Sequence, residues 1–344
     1  MNSEIKVRLH EAFKNPSQKF AFFSGQNDPD FGNLIGKDKW DWTPQECLTV
    51  EPWHWHEHTL ALPFGCQSLR DAEGNETAIP FITDPARVEK VKTPDPVEGR
   101  TGLIIEEIEN ILLEVDDDVL IRLPVIHSPL RVAELLWQKD AFHKALNSHP
   151  QQMHDLLQKI TEFTIAYVQE IQGILGDRLN PVSFPEIWCP PHGCYIADDG
   201  HSLLSSDMHR EYSVPYINKI VDACGSLHYH FDSLTSQYFK NIRQIKNIRS
   251  LSWSVTADDD SEAIIKEFSG NCVLCPSIDS DSHKASDGGG GLADESHLIA
   301  HMLDAMQADT TLYIAVQPEL LEKRNIMKKI YAQFVSLGYA PTGD

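Results

Sequence analysis

Pro185-Glu186-Ile187-Trp188-Cys189-Pro190-Pro191-His192-Gly193-Cys194, followed by Asp198-Asp199 and then His228-Tyr229-His230-Phe231-Asp232, is the stretch whose reading decides the fold. The apolar run from Val182 to Trp188 predicts a strand, and the Pro, Gly, Cys and His after it predict a loop that ends at the acidic pair. Ser206-Asp207 predicts a helix N-cap before Met208, Tyr212, Ile217, Ile220 and Val221, with Pro215 kinking the helix. Gly225 and the alternating segment Ser226 to Phe231 then predict a second strand, giving a strand, loop, helix, strand unit. On that strand His228 and His230 project to one face, roughly 6–7 Å apart along the chain. Two imidazoles so placed suit a divalent metal, and equally suit two hydrogen-bonded core histidines in a chain with 16 His. Glu186, Asp198 and Asp199 are the candidate catalytic carboxylates. A carboxylate at a strand end is costly to bury unless it is used, whereas an acidic pair in a turn also caps backbone amides.

Outward from this unit, helices and strands alternate. Residues 1–45 open with the amphipathic positions Ile5, Leu9 and Phe13 and then turn polar and Gly/Pro-rich, which reads as a capping segment. Trp53-His54-Trp55-His56-Glu57-His58 places His54 and His56 on one strand face, a candidate pocket lining, and Glu73-Gly74-Asn75 signals a hairpin. A strand is expected from Val119 to Ile126, ending at His127-Ser128-Pro129 where a helix starts. Met153, Leu156, Leu157, Ile160, Phe163, Val168, Ile171 and Ile174 recur at helical spacing. Leu251 to Val255, Asn271 to Cys275 and Thr311 to Val316 read as strands. Between and after them come helices from Ser261 to Phe268, from Asp294 to Met306, and from Pro318 to Gly338. About seven such units imply parallel pairing by right-handed crossovers in a single α/β domain, a TIM (β/α)8 barrel spanning 1–344. His127, Glu186, His228, His230, Cys275 and Gln317 then fall at or just past strand ends, where barrels place active groups. Cys272 and Cys275 lie on opposite faces of their strand, unlike a redox or zinc turn. Gly288 to Gly291 lacks the Lys-Ser/Thr of a phosphate loop and reads as a lid.

The net charge of −22 argues against nucleic acid and anionic membrane surfaces as partners. Seven cysteines without dense spacing do not form a disulfide framework, and no apolar run approaches the roughly 20 residues that span a bilayer. A cytoplasmic protein acting on a small molecule is expected.

Ile196-Ala197-Asp198-Asp199-Gly200, Leu203-Leu204-Ser205-Ser206-Asp207-Met208-His209-Arg210-Glu211-Tyr212 and Pro215-Tyr216 resemble the uroporphyrinogen decarboxylase superfamily, which includes cobamide-dependent methyltransferases. His127-Ser128-Pro129-Leu130-Arg131 through Leu136, His149-Pro150, Met153 to Leu157 and Ala78-Ile79-Pro80-Phe81-Ile82-Thr83-Asp84-Pro85 are similar to the same superfamily, extending the resemblance over roughly residues 78–340. The resemblance implies the barrel. In the methyltransferase branch it implies zinc bound by a His-X-Cys-Gly segment and a further Cys, activating a thiol. Here His228 keeps the His, His230 stands for the Cys and Phe231 for the Gly, and Ile314 to Gln317 holds no Cys, so the nearest substitute for the third ligand is Cys275, with Glu186 and the His54/His56 pair as alternatives. The arginine-rich loop of the porphyrin enzymes is missing from Gly25-Gln26-Asn27-Asp28-Pro29-Asp30. The expectation is a zinc-dependent methyltransferase with metal ligands His228, His230 and Cys275 and a pocket lined by His54, His56, His127 and Gln317. It would exchange a methyl group with a cobamide on a corrinoid protein. The alternatives are a decarboxylase or lyase of the same family, and a catalytically silent tetrapyrrole- or corrinoid-binding barrel.

Overall fold

The computed structural model describes residues 3–16, 20–25, 40–44, 49–50, 58–70, 76–117, 119–185, 187–199, 204–255, 260–278 and 301–316. In chain order the strands are β1 (Phe20–Gly25), β2 (Trp40–Pro44), β3 (Thr49–Val50), β4 (Gln67–Arg70), β5 (Glu76–Ile79), β6 (Leu120–Arg122), β7 (Leu179–Asn180), β8 (Cys194–Ala197), β9 (Leu227–Phe231), β10 (Ile248–Ser254), β11 (Val273–Ile278) and β12 (Thr311–Val316). The seven-stranded sheet runs β2-β1-β12-β11-β10-β9-β8, all parallel, and a three-stranded parallel sheet runs β3-β6-β7. They meet where β6 continues: Ala197 N–H donates to Ile126 O and Ser128 N–H to Ala197 O, both at 2.8 Å, bridging His127 to Ala197. This is a TIM-like α/β architecture. Among the described residues no ladder joins β2 to β3, so the ring is not closed.

Two sequence expectations are corrected. Residues 1–45 are more than a cap, because β1 and β2 are strands of the main sheet. The apolar run Phe20-Ala21-Phe22-Phe23 is short, and such runs do not declare themselves by periodicity. The strand before the acidic pair is β8, not Val182 to Trp188. That apolar run is irregular and contains the cis Phe184–Pro185 bond, while Cys-Tyr-Ile-Ala, read as loop, is the buried strand.

The longest helix is α5, the fifth in order after α1 (Ser3–Lys14), α2 (Gly99–Glu114), α3 (Pro129–Leu136) and α4 (Lys139–Ser148). It spans Pro150–Leu175 as its periodicity predicts, with Pro at its first turn and Gly176 as its C-cap. Each of its buried Leu, Ile, Met and Phe side chains contributes about 1.5–3 kcal/mol of transfer free energy against neighbouring helices and the sheet. Downstream, the expected kinked helix is two helices. Ser205 caps α6 (Ser206–Tyr212) by accepting from Met208 N–H, and α7 (Val214–Cys224) begins at Ser213 with Pro215 in its first turn. Pro has no N–H to donate there, so the break costs little. The hairpin of β4 and β5 flanks the predicted turn. The described helices include none long and apolar enough to cross a membrane.

One irregularity positions the site. Leu227 pairs with Ile248 but His228 pairs with Ser250, so β10 carries an extra residue at Arg249. Beyond that bulge Ser250 and Ser252 lie opposite His228 and His230, and Cys275 of β11 lies opposite Ser252.

Candidate functional site

Chemistry-bearing residues gather past the C-terminal ends of β6, β8 and β9. Successive residues of an extended chain point to opposite sides, and Asp198 and Asp199 diverge accordingly. Asp198 is fully buried: its Oδ2 accepts from Tyr229 Oη (2.6 Å), Ser213 Oγ (2.8 Å) and His209 Nε2 (3.2 Å). Asn241 Nδ2 donates to His209 Nδ1, which leaves the imidazole proton on Nε2, facing Asp198.

Asp199 faces the other way. Its Oδ1 accepts from Asp232 N–H at 3.1 Å and its Oδ2 lies 3.7 Å from His127 Nδ1. Burial pushes its carboxyl up to about 7, against the nearby His230 and together with Asp232. Asp232 is held below the usual carboxylate range by His230, whose Nε2 lies 3.7 Å from Asp232 Oδ1. Asp199, His230 and Asp232 each offer a ligand atom, and these atoms lie within 4.8 Å of one another.

His230 is fixed from behind. Its Nδ1 lies 2.9 Å from Ser252 Oγ, and Ser252 in turn donates to Tyr229 O at 3.4 Å, so Nδ1–H donates to Ser252 and the Nε2 lone pair is turned toward the two carboxylates. Phe184 packs edge-on to the ring at 5.0 Å and Tyr195 stacks at 6.0 Å. A lone pair facing two carboxylates is repelled unless a proton or a metal cation lies between them, and one imidazole with two carboxylates is an acceptable donor set for zinc or a harder divalent ion. The Ser252 bond is the kind of support that orients a metal-ligating histidine. The residues present therefore fit a metal.

The expected ligand set is only partly brought together. His228 sits one row deeper, its Nδ1 2.7 Å from Ser250 Oγ, its ring against Phe13 at 5.9 Å and its Nε2 without a hydrogen-bond partner. Burial, then Arg249, lowers its pKa to about 3. Cys275 is buried, and desolvation, then Cys272, pushes its thiol well up, with the Ser250 hydroxyl pulling the other way. Neither residue joins the cluster, so a thiolate ligand from Cys275 is replaced by the carboxylates of Asp199 and Asp232. His127 is at the mouth as expected. Both its ring nitrogens are buried without a hydrogen bond, and burial, then Arg131, lowers its pKa to about 3. Glu186, His54, His56 and Gln317 lie outside the described residues, as do the Gly288 to Gly291 loop, the Pro318 to Gly338 helix and most of the Asp294 to Met306 helix.

Asp232 is the residue sequence reasoning missed. Its signal was available, because His230-Phe231-Asp232 puts a carboxylate two residues beyond a strand-end histidine, on the same face.

The comparisons agree with this architecture. The family model described as Uroporphyrinogen decarboxylase (URO-D) matches residues 59–172. A methyltransferase structure from Methanosarcina mazei superposes with a TM-score of 0.59 at 17% identity, covering 85% of this chain and 81% of that one. A glycoside hydrolase family 5 enzyme from Prevotella bryantii B14 gives a TM-score of 0.38 at 11% identity over 92% of this chain and 96% of its own. The metallated homocysteine methyltransferase of Escherichia coli gives 0.29 at 9% over 84% and 96%. The first likeness establishes the fold, and the other two are too distant to argue from. No curated protein sequence matches the chain.

Proposed function

We propose that this chain of the uroporphyrinogen decarboxylase superfamily is a metal-dependent methyltransferase, moving a methyl group between a cobamide carried by a corrinoid protein and a small nucleophile. The observation that carries the reading is the convergence of His230, Asp199 and Asp232 at the strand ends, with His230 oriented by Ser252. A divalent ion held by these three residues, zinc by the chemistry of the donor set, would lower the pKa of a bound nucleophile so that it reacts as the anion at neutral pH. Around it, Ser252 holds the His230 ring, and Asp232 N–H holds Asp199 in place. Phe184 and Tyr195 keep bulk water from that ring. Asp198 contributes by anchoring the end of β8 through Tyr229, Ser213 and His209. The acidic charge and the fold suit a cytoplasmic enzyme.

The test is metal content by mass spectrometry on untagged protein, beside Asp232→Asn and His228→Ala. Near-stoichiometric metal in wild type, lost in Asp232→Asn and kept in His228→Ala, is the expected result, with methyl transfer from methylcobamide following the metal. Full activity after chelation would sink the reading.

One observation favours a second reading. Asp199 keeps its proton to about 7 and lies beside His127 and His230 past the strand ends, which suits a proton donor in a decarboxylase or lyase. That enzyme would survive chelation and lose activity in Asp199→Asn.

A further inference from the structure

Of the motif Trp53-His54-Trp55-His56-Glu57-His58 only His58 lies within the described residues, and it acts on His127 beside the metal cluster. His58 follows β3, which pairs with β6, and β6 leads into His127, so both imidazoles stand past adjoining strands. Each acts electrostatically on His127 or is His127 itself: His58, Arg131 and His230 all lie within range of that ring. Three ring nitrogens here are buried without a hydrogen-bond partner, namely His58 Nδ1 and both nitrogens of His127. The two residues are only 8% and 7% exposed. Buried polar atoms are nearly always paired, so three orphans on two neighbouring imidazoles mark a place that a ligand completes.

We propose that His58 and His127 form a hydrogen-bonding subsite for an uncharged polar group of the substrate, a hydroxyl or a carboxamide, next to the atom that reacts at Asp199, His230 and Asp232. Its position relative to the reacting atom rests on the metal reading above; the subsite itself does not.

Charge decides against a carboxylate there. Arg131, the one guanidinium among the described residues that acts on His127, is already paired with Glu134 at 2.7 Å. Asp199 Oδ2 stands 3.7 Å from His127, and Asp232 acts on the same ring. An anion entering would meet two carboxylates and a cation whose charge is spent, whereas a hydroxyl or amide both donates and accepts, as imidazoles require. The His127 side of the subsite also has room. Ala197 is its bridge partner and pairs with His230 on the other side, so only a methyl group stands between the two rings in that row.

Two measurements test this. On cobalt-loaded protein, dissociation constants are read from the cobalt absorption for 2-mercaptoethanol, mercaptoacetate and ethanethiol, which share the thiol and differ in the second group. On metal-free protein labelled with 15N-histidine, the His58 and His127 signals, assigned with His58→Phe and His127→Phe, are followed as propane-1,2-diol or lactate is added. The expected result is 2-mercaptoethanol bound about tenfold more tightly than either other thiol, with that preference lost in each Phe variant, and both histidine signals moved by the diol and not by lactate. Tighter mercaptoacetate, or signals moved by lactate, would overturn the proposal in favour of an acid subsite. Signals moved by neither compound, or no preference among thiols on cobalt-loaded protein, would overturn it outright. Protein that takes up no cobalt, yet whose signals move with the diol alone, would remove the metal reading and leave the subsite standing.

Discussion

Two neighbouring carboxylates show what separates a scaffold from a site. Asp198 lies behind the sheet, where three donors converge on one oxygen and a histidine among them is itself braced by Asn241. Asp199, one residue on, has a single backbone N–H as its hydrogen-bond donor and shares its surroundings with another carboxylate and two imidazoles. The first group is sealed in the core with three donors on one oxygen, closed to a substrate. The second is under-served, and burial without full pairing is what shifts a pKa and creates affinity for a proton or a metal. The same contrast recurs along β9, where His228 and His230 each have a serine partner. Only the one nearer the strand end meets carboxylates.

The contrast breaks most sharply at Asp198. Asp198→Ala leaves the Tyr229 and Ser213 hydroxyls and the His209 N–H without their acceptor, and should cost about 3 kcal/mol or more in urea unfolding. A loss below about 1 kcal/mol would mean that the network does not brace the fold. Asp199 should show the opposite behaviour, a small effect on packing and a marked one on pH. In metal-free protein its carboxyl holds a proton to about 7 when folded and releases it near 3.8 when unfolded. Across that window this group binds more protons in the folded chain than in the unfolded chain, so its contribution to stability is full below 3.8, falls as pH rises, and is gone above about 7. His127 and His228, each lowered to about 3 by burial, make stability rise over the same interval, so the change in urea midpoint from pH 5 to pH 8 should be more positive in Asp199→Asn than in wild type. Equal differences in both proteins would assign the dependence elsewhere. The smallest expected effect is that of Ser252→Ala, which removes the partner that fixes the His230 ring. Metal affinity should fall about tenfold by competition with a chelating dye while the fold stays intact. An unchanged affinity would show that the ring is held by Phe184 and Tyr195 alone.

Much of this was legible in the chain. The α5 periodicity, the strands near 251, 273 and 311, and the placing of His127 and His230 at strand ends follow from residue types and spacing. What the sequence hid has physical causes. Phe20-Ala21-Phe22-Phe23, within β1, and Cys194-Tyr195-Ile196-Ala197, which is β8, are four-residue apolar runs too short for periodicity to separate from loop. The Val182 to Trp188 run looked more like a strand than the real one beside it. Cys275 is expected at the metal because its strand reads as ending there, whereas β11 runs on to Ile278 and leaves Cys275 in the middle; which row of a barrel a residue occupies also depends on the stagger between strands, and no single strand carries that information. Asp232 was passed over because the histidines two and four residues before it drew the attention.

The extra residue in β10 has a consequence in genetic terms. A regular ladder from the Leu227–Ile248 pair would set Arg249 and Leu251 against the two histidines; the bulge is what brings Ser250 and Ser252 there instead. An in-frame loss of the Arg249 codon would remove the spare residue and leave both His–Ser pairs aligned. Loss of the Leu251 codon, two positions later, would slip Ser252 out of step with His230. Within one strand, codons two positions apart therefore differ between dispensable and indispensable, and the boundary lies at the bulge rather than at any residue that touches the site.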